Sequence, residues 1–204
     1  MIAVLDYGIG NLRSAHKALD YLGVRASLVT DPDVAADASG VVLPGVGAFG
    51  ASARALRRSG LDGAVREHVS RGTPFLGICV GLQLLFEGSE EDPGDEGLGV
   101  LQGIVRALPA SERRPQMQWN IVEPVAGRES QVFGTESAWY YFVHSYAPVP
   151  EGRDVGATAV TCDYGGEIVA GVERGRIFGT QFHPEKSARR GLELLGRFAS
   201  LCTG

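Results

Sequence analysis

The tightest constraint on this chain is Gly77-Ile78-Cys79-Val80-Gly81, placed where the apolar run Pro74-Phe75-Leu76-Gly77-Ile78 gives way to Leu82, Leu84, Leu85 and Phe86. Such a run reads as a buried strand passing directly into a short buried helix. A central cysteine between two small residues, at a strand-to-helix switch, is the pattern of a nucleophile elbow. Side chains at the flanking positions of so sharp a turn would collide with neighbouring backbone, which is why glycines are needed there. The start of the helix carries partial positive charge, and that favours a thiolate. A core cysteine is the ordinary alternative for an apolar run. The paired glycines and the change of period argue for the nucleophile.

The segments around the elbow read as strands alternating with helices. Residues 2–6 form a short apolar run ending near Gly8 and Gly10, and then Leu12, Ala15, Leu19 and Leu22 recur at helical spacing until Gly23. Residues 25–30 lead through Asp31-Pro32-Asp33 to Val41-Val42-Leu43, which stops at Pro44-Gly45. Helical stretches follow over about 48–58 and 61–71. This pattern predicts an α/β fold with a mostly parallel central sheet flanked by helices. Residues 90–97 are acidic and turn-rich and read as a solvated excursion. From there to about residue 182 strands follow one another without strong helices, giving an additional β-rich portion, with residues 173–176 as a hairpin turn. A last helix covers about 187–201.

The 204 residues can bury a sizeable core as a single domain over 1–204. With 44% hydrophobic and 21% charged residues the chain lies far from the disordered regime. A net charge of −5 with scattered basic residues gives no footprint for nucleic acid or a membrane surface. The first residues lack a basic leader, and no apolar stretch is long enough to span a bilayer. Cys79, Cys162 and Cys202 have neither disulfide-framework nor metal-ligand spacing, so a cytoplasmic location fits and no metal or organic cofactor is called for.

A thiol nucleophile needs a base. Of the histidines, His16 and His68 fall among charged residues of helical patterns and read as surface side chains. His183, in Gly179-Thr180-Gln181-Phe182-His183-Pro184-Glu185, stands just past an apolar strand, where a loop projects it from the sheet edge. Glu185 can orient its imidazole, which completes a candidate triad of Cys79, His183 and Glu185.

The Cys79 elbow with Leu82-Gln83-Leu84-Leu85-Phe86, together with His183-Pro184-Glu185, resembles the class I, triad-type glutamine amidotransferases. Further segments resemble, within that family, the glutaminase subunits of imidazole glycerol phosphate synthases. They are Asp6-Tyr7-Gly8-Ile9-Gly10-Asn11-Leu12, Pro44-Gly45-Val46-Gly47-Ala48-Phe49, Tyr141-Phe142-Val143-His144-Ser145-Tyr146 and His183-Pro184-Glu185-Lys186-Ser187. The resemblance implies hydrolysis of glutamine through a cysteine thioester, with the ammonia used elsewhere. It assigns the oxyanion donors to Val80 and to Gly45, Val46 and Gly47, whose glycines would let that strand rotate under the control of a partner. It assigns glutamine contacts to Gln83, His144 and Ser145, although for His144 and Ser145 the sequence alone favours simple strand alternation. The partner it implies is a (β/α)8-barrel cyclase in a heterodimer, forming imidazole glycerol phosphate and aminoimidazole carboxamide ribotide for histidine biosynthesis. Asn11, Trp119, Tyr141 and Lys186 are the interface candidates. A chain of this length has no room for the synthase domain as well.

Within Pro115-Gln116-Met117-Gln118-Trp119-Asn120, Gln116 and Gln118 replace the family's usual histidine and glycine, which puts the shape of this segment in doubt. A dinucleotide-binding module competes through Gly8-Ile9-Gly10, but its third glycine position holds Arg13. The other readings are the glutaminase subunit of a different class I amidotransferase, a cysteine hydrolase that uses no glutamine, and a silent interaction subunit. Ammonia release from glutamine separates them.

Overall fold

The computed structural model describes residues 1–203. In chain order the strands are β1 (Ile2–Leu5), β2 (Ala26–Val29), β3 (Gly40–Gly45), β4 (Phe75–Cys79), β5 (Gly88–Ser89), β6 (Gly103–Ala107), β7 (Gln116–Pro124), β8 (Ala138–His144), β9 (Tyr146–Pro150), β10 (Thr158–Asp163), β11 (Glu167–Arg174) and β12 (Ile177–Thr180). The helices are α1 (Leu12–Tyr21), α2 (Pro32–Ala36), α3 (Phe49–Arg58), α4 (Leu61–Arg71), α5 (Val80–Gln83) and α6 (Ala188–Leu201).

One nine-stranded sheet runs β2-β1-β3-β4-β12-β11-β10-β7-β8. Its pairings are parallel from β2 to β12 and antiparallel from β12 to β8. The expected β-rich portion therefore divides: β10, β11, β7 and β8 extend the main sheet, while β5, β6 and β9 form a separate three-stranded sheet. In the parallel half the crossover β1-α1-β2 runs one way and β2-α2-β3 the other. Right-handed connections then put α1 and α2 on opposite faces. Accordingly α1 packs with α6, and α2 and α3 pack with α4. Both faces are covered, and β1, β3 and β4 are buried along their whole length. Cys79 ends β4, flanked by β3 and β12 near the middle of the sheet.

Asp31-Pro32-Asp33 opens a short helix, α2. The Asp31 carboxylate accepts from the Asp33 N–H at 2.9 Å and Pro32 occupies the first turn, a helix-start signal that the strand pattern on either side obscured. His68, expected on the surface, is instead buried where α4 packs on α2, and its Nε2 donates to the Ala35 carbonyl at 2.7 Å. His16 is half-buried, with its Nε2 3.1 Å from the Ala26 carbonyl.

The acidic segment 90–97 lies at the surface as expected, but it is anchored. Ala48, at the start of α3, offers no capping side chain, and the N–H groups of Phe49 and Gly50, which have no intrahelical acceptor, donate to the Glu91 and Asp92 carboxylates, each at 2.8 Å. Asp95 pairs with Arg54 on the same helix. The loop is thus tied to the first turns of α3. Among the described residues no helix is long and apolar enough to cross a membrane.

Candidate active site

The elbow is packed backbone against backbone. Cys79 has φ +54 and ψ −111, a strained conformation for a residue with a Cβ. A Cβ on Gly81 would lie 1.8 Å from the Leu43 carbonyl oxygen of β3, and one on Gly77 would lie 2.6 Å from the Gly81 carbonyl oxygen. The glycines on either side of Cys79 are there because α5 folds back over β4 and against β3 with no room for a methyl group.

His183 reaches the same place from β12. Beyond Gln181 the chain makes a 3₁₀ turn over Pro184–Lys186 before α6 begins. That turn is clamped. The His183 N–H donates to the Tyr141 carbonyl at 2.9 Å, and Ser187 Oγ donates to the His183 carbonyl at 2.6 Å while accepting from the Tyr141 N–H at 3.0 Å. His183 Nδ1 lies 2.8 Å from Glu185 Oε1, with both side chains only 2% exposed. A carboxylate can only accept, so Nδ1 carries a proton and Nε2 is left for the sulfur. Among the described residues Nε2 is buried with no nitrogen or oxygen partner. Burial pulls the His183 pKa down, but contact with the Cys79 sulfur and with Glu185 outweighs it and pushes the imidazole up to about 10.

Cys79 and His183 open on a cavity of about 240 Å³, the scale of one amino acid, also lined by Val46, Gly47, Val80 and Gln83. Val80 begins α5, so its N–H lies outside the intrahelical ladder. Gly45 is pressed against the start of α5: a Cβ on it would meet the Gly81 nitrogen at 2.8 Å. Gly47 has φ +89. The peptide before Gly45 is held from behind by Tyr7, whose buried hydroxyl donates to the Pro44 carbonyl at 2.9 Å. Burial raises the Tyr7 pKa, opposed by the neighbouring Ser52 hydroxyl and assisted by the Cys79 charge, so the phenol remains a donor.

Gln83, His144 and Ser145 line the cavity together, but their ring and amide groups are not equally free. The Tyr146 carbonyl collects His144 Nδ1 at 2.8 Å and Gln83 Nε2 at 3.0 Å. A carbonyl only accepts, so the His144 proton sits on Nδ1. Burial, partly offset by that bond and reinforced by His183, drives the His144 pKa down to about 4, and the ring is neutral at pH 7. Its Nε2 must then accept, and it lies 2.7 Å from the Gln116 side-chain amide. Gln116 must turn its NH2 group toward the ring, and its oxygen then faces away from it. Both His144 nitrogens are committed inside the protein, which leaves Ser145 as the free polar group of that pair. Gln116 thus has a definite place. Gln118, exposed in the extended strand β7, adopts a conformation open to any residue, so the lost glycine imposes no strain.

The structure adds two residues that sequence reasoning passed over. Glu91 lines the cavity while one of its oxygens holds the Phe49 N–H; its acidic surroundings suggested only a solvated loop. Gln181, fully buried, places its side-chain nitrogen 3.6 Å from the Cys79 sulfur. Its position two residues before His183 was the only available signal.

The interface candidates lie apart. Trp119 and Tyr141 are paired across β7 and β8, with rings edge-on at 6.2 Å, and Lys186 Nζ sits 5.9 Å from the Tyr141 ring centre. Strand register places Met117, Ile121 and Trp139 on the same outward face, with Met117 65% and Trp139 54% exposed. Asn11 is half-buried at the start of α1, a helix that packs on the turn carrying Lys186, and its side chain accepts from Ser14 Oγ at 2.9 Å.

Residues 3–200 match the family model described as "Glutamine amidotransferase class-I". The chain is 48% identical over 203 residues to the imidazole glycerol phosphate synthase subunit HisH of Moorella thermoacetica, covering 98% of this chain and 94% of that one. It is 46% identical to the subunit HisH of Rhodopirellula baltica, covering 98% and 97%, and 45% identical to that of Aquifex aeolicus, covering 96% and 94%. In fold it is similar to a crystal structure of a glutamine amidotransferase, with TM-score 0.77, 22% identity and coverage of 100% and 99%.

Proposed function

The chain belongs to the class I glutamine amidotransferases and, within that family, to the HisH subunits of imidazole glycerol phosphate synthase, and from this we propose how its site hydrolyses glutamine. The observation that carries the reading is the strained Cys79 elbow sharing a small cavity with a buried His183–Glu185 pair.

Cys79 thiolate attacks the side-chain amide carbon of glutamine, giving a tetrahedral intermediate. The Val80 N–H and an N–H of the Gly45-Val46-Gly47 segment stabilise its oxyanion. Imidazolium at His183 gives the nitrogen its proton, ammonia departs and a thioester remains. Neutral His183 then takes a proton from water, the hydroxide opens the thioester, and glutamate leaves with the thiol restored. Glu185 holds the ring and balances its charge without taking the proton itself. At the amino-acid end, both Gln83 amide protons are spent on carbonyl acceptors, so Gln83 Oε1 is an acceptor for the α-ammonium. Glu91 adds negative charge there and Ser145 a hydroxyl. His144 acts by shaping the turn.

The ammonia serves histidine biosynthesis through a synthase partner. That partner is a cyclase with a (β/α)8 barrel, paired one to one, and it docks over the outward face of β7 and β8. Free ammonia is largely protonated at neutral pH and lost as a nucleophile, so the two sites need a sealed contact. Large aromatic side chains beside a lysine suit such a contact. Tyr7 steadies the oxyanion segment until docking. A chloroketone analogue of glutamine should label Cys79 alone, with protection by glutamine; label on Cys162 or Cys202, or no protection, would refute the site. Sedimentation with the cyclase should give one copy of each chain.

A further inference from the structure

The hydrogen bonds around the Cys79 sulfur determine their own direction. The Tyr146 carbonyl can only accept, so the end of Gln83 facing it at 3.0 Å is the amide nitrogen. The same nitrogen lies 3.1 Å from the Gln181 side-chain oxygen and sends its second proton there. With that oxygen occupied, the Gln181 nitrogen points the other way, at the Cys79 sulfur 3.6 Å distant. The reverse orientation would set two NH2 groups against each other and put a carbonyl oxygen against the sulfur. Gln181 is fully buried and its backbone N–H donates to the Ala170 carbonyl at 2.9 Å, so no solvent competes for the amide and the strand holds it in place.

We propose that Gln181 is a catalytic residue: its side-chain N–H donates to the Cys79 sulfur, stabilising the thiolate before attack and again when the thioester opens, while its oxygen ties that sulfur to Gln83. The proposal rests on the glutaminase reading for its meaning. It adds a donor to a site whose base, carboxylate and oxyanion contacts are otherwise accounted for. An N–H directed at the sulfur favours the charged form and leaves the thiol proton to His183. Because Gln83 grips both the Tyr146 carbonyl and Gln181, a group bound at Gln83 Oε1 bears on the orientation of the nucleophile through two hydrogen bonds.

The test is alkylation of Cys79 by iodoacetamide in the isolated full chain, followed across pH by mass analysis of the Cys79 peptide. Cys162 and Cys202 do not interfere, since burial pushes each thiol up to about 12. In Gln181→Leu, alkylation at neutral pH should slow about tenfold and the profile should move to higher pH, the size expected for loss of one hydrogen bond to a charged group. Gln181→Glu keeps the volume but sets a carboxylate against the sulfur, and should move the profile further. It also serves as the readout if the leucine variant does not fold. A folded variant of either kind with the wild-type pH profile would overturn the proposal, even with altered thermal stability. Glutamine turnover by the wild type tests the underlying reading separately, because alkylation needs no glutamine.

Discussion

The two halves of the nine-stranded sheet are built to different rules. From β2 to β12 the strands are parallel and covered on both faces, and the contacts that matter are between backbones: Gly45 against α5, Gly81 against the Leu43 carbonyl. From β11 to β8 they are antiparallel. There β8 alternates, with Tyr140, Phe142 and His144 inward and Trp139 and Tyr141 toward the outside. The first half is packed backbone against backbone and holds the strained Cys79. The second keeps one face for its own core and leaves an apolar face exposed. The cavity lies where they meet, taking Cys79 and His183 from one side and His144 and Ser145 from the other.

Gly81→Ala should separate the two halves most strongly. Its methyl group would sit on a backbone oxygen that cannot yield, so a loss above about 4 kcal/mol or failure to fold is expected in chemical denaturation. Gln118→Ala in the other half should stay within about 0.5 kcal/mol. Comparable losses would erase the distinction. Glu185→Gln should fold normally and lower glutamine hydrolysis on the order of 10³-fold, about 4 kcal/mol in the barrier, since an amide cannot balance imidazolium.

The two cavity histidines sharpen the contrast through opposite signs. His144 in the folded chain titrates near 4 rather than 6.5, so the unfolded chain binds the extra proton. Its contribution to stability is intact above 6.5 and declines as pH falls toward 4, by about 3 kcal/mol at most. His183 is raised instead: its contribution is intact below 6.5 and is lost as pH rises toward about 10. Denaturation across pH should therefore lose its acid limb in His144→Gln while keeping the alkaline one. Loss of both limbs, or neither, would contradict the assignment. Smaller still, Trp119→Ala should leave the stability of the isolated chain within about 0.5 kcal/mol yet weaken cyclase binding roughly 30-fold, about 2 kcal/mol. An isothermal titration showing unchanged affinity would remove Trp119 from the docking face.

The parallel half was the more legible in sequence because its constraints are local. The glycines flanking Cys79 and the period change from β4 to α5 lie within a few residues of each other, and the segment from Gly179 to Glu185 is as compact. What escaped reading depended on contacts between distant segments. His68 looked solvated because its acceptor, the Ala35 carbonyl, lies on a helix whose start resembled a link between strands. Residues 90–97 looked like a surface loop because the N–H groups they cap are 42 positions away along the chain. Gln181 carries no local mark, since its partners Gln83 and Cys79 arrive from α5 and β4. In the second half, strand succession was visible, but its division between two sheets depends on pairings that alternation does not encode.

Cys79 as the nucleophile is the role on which every other residue of the proposed site depends. Ammonia release from glutamine, measured with the cyclase and its acceptor substrate present, should be strong for the wild type and fall to the uncatalysed background in Cys79→Ala. Ammonia release that persists in a folded, cyclase-bound Cys79→Ala chain would contradict it.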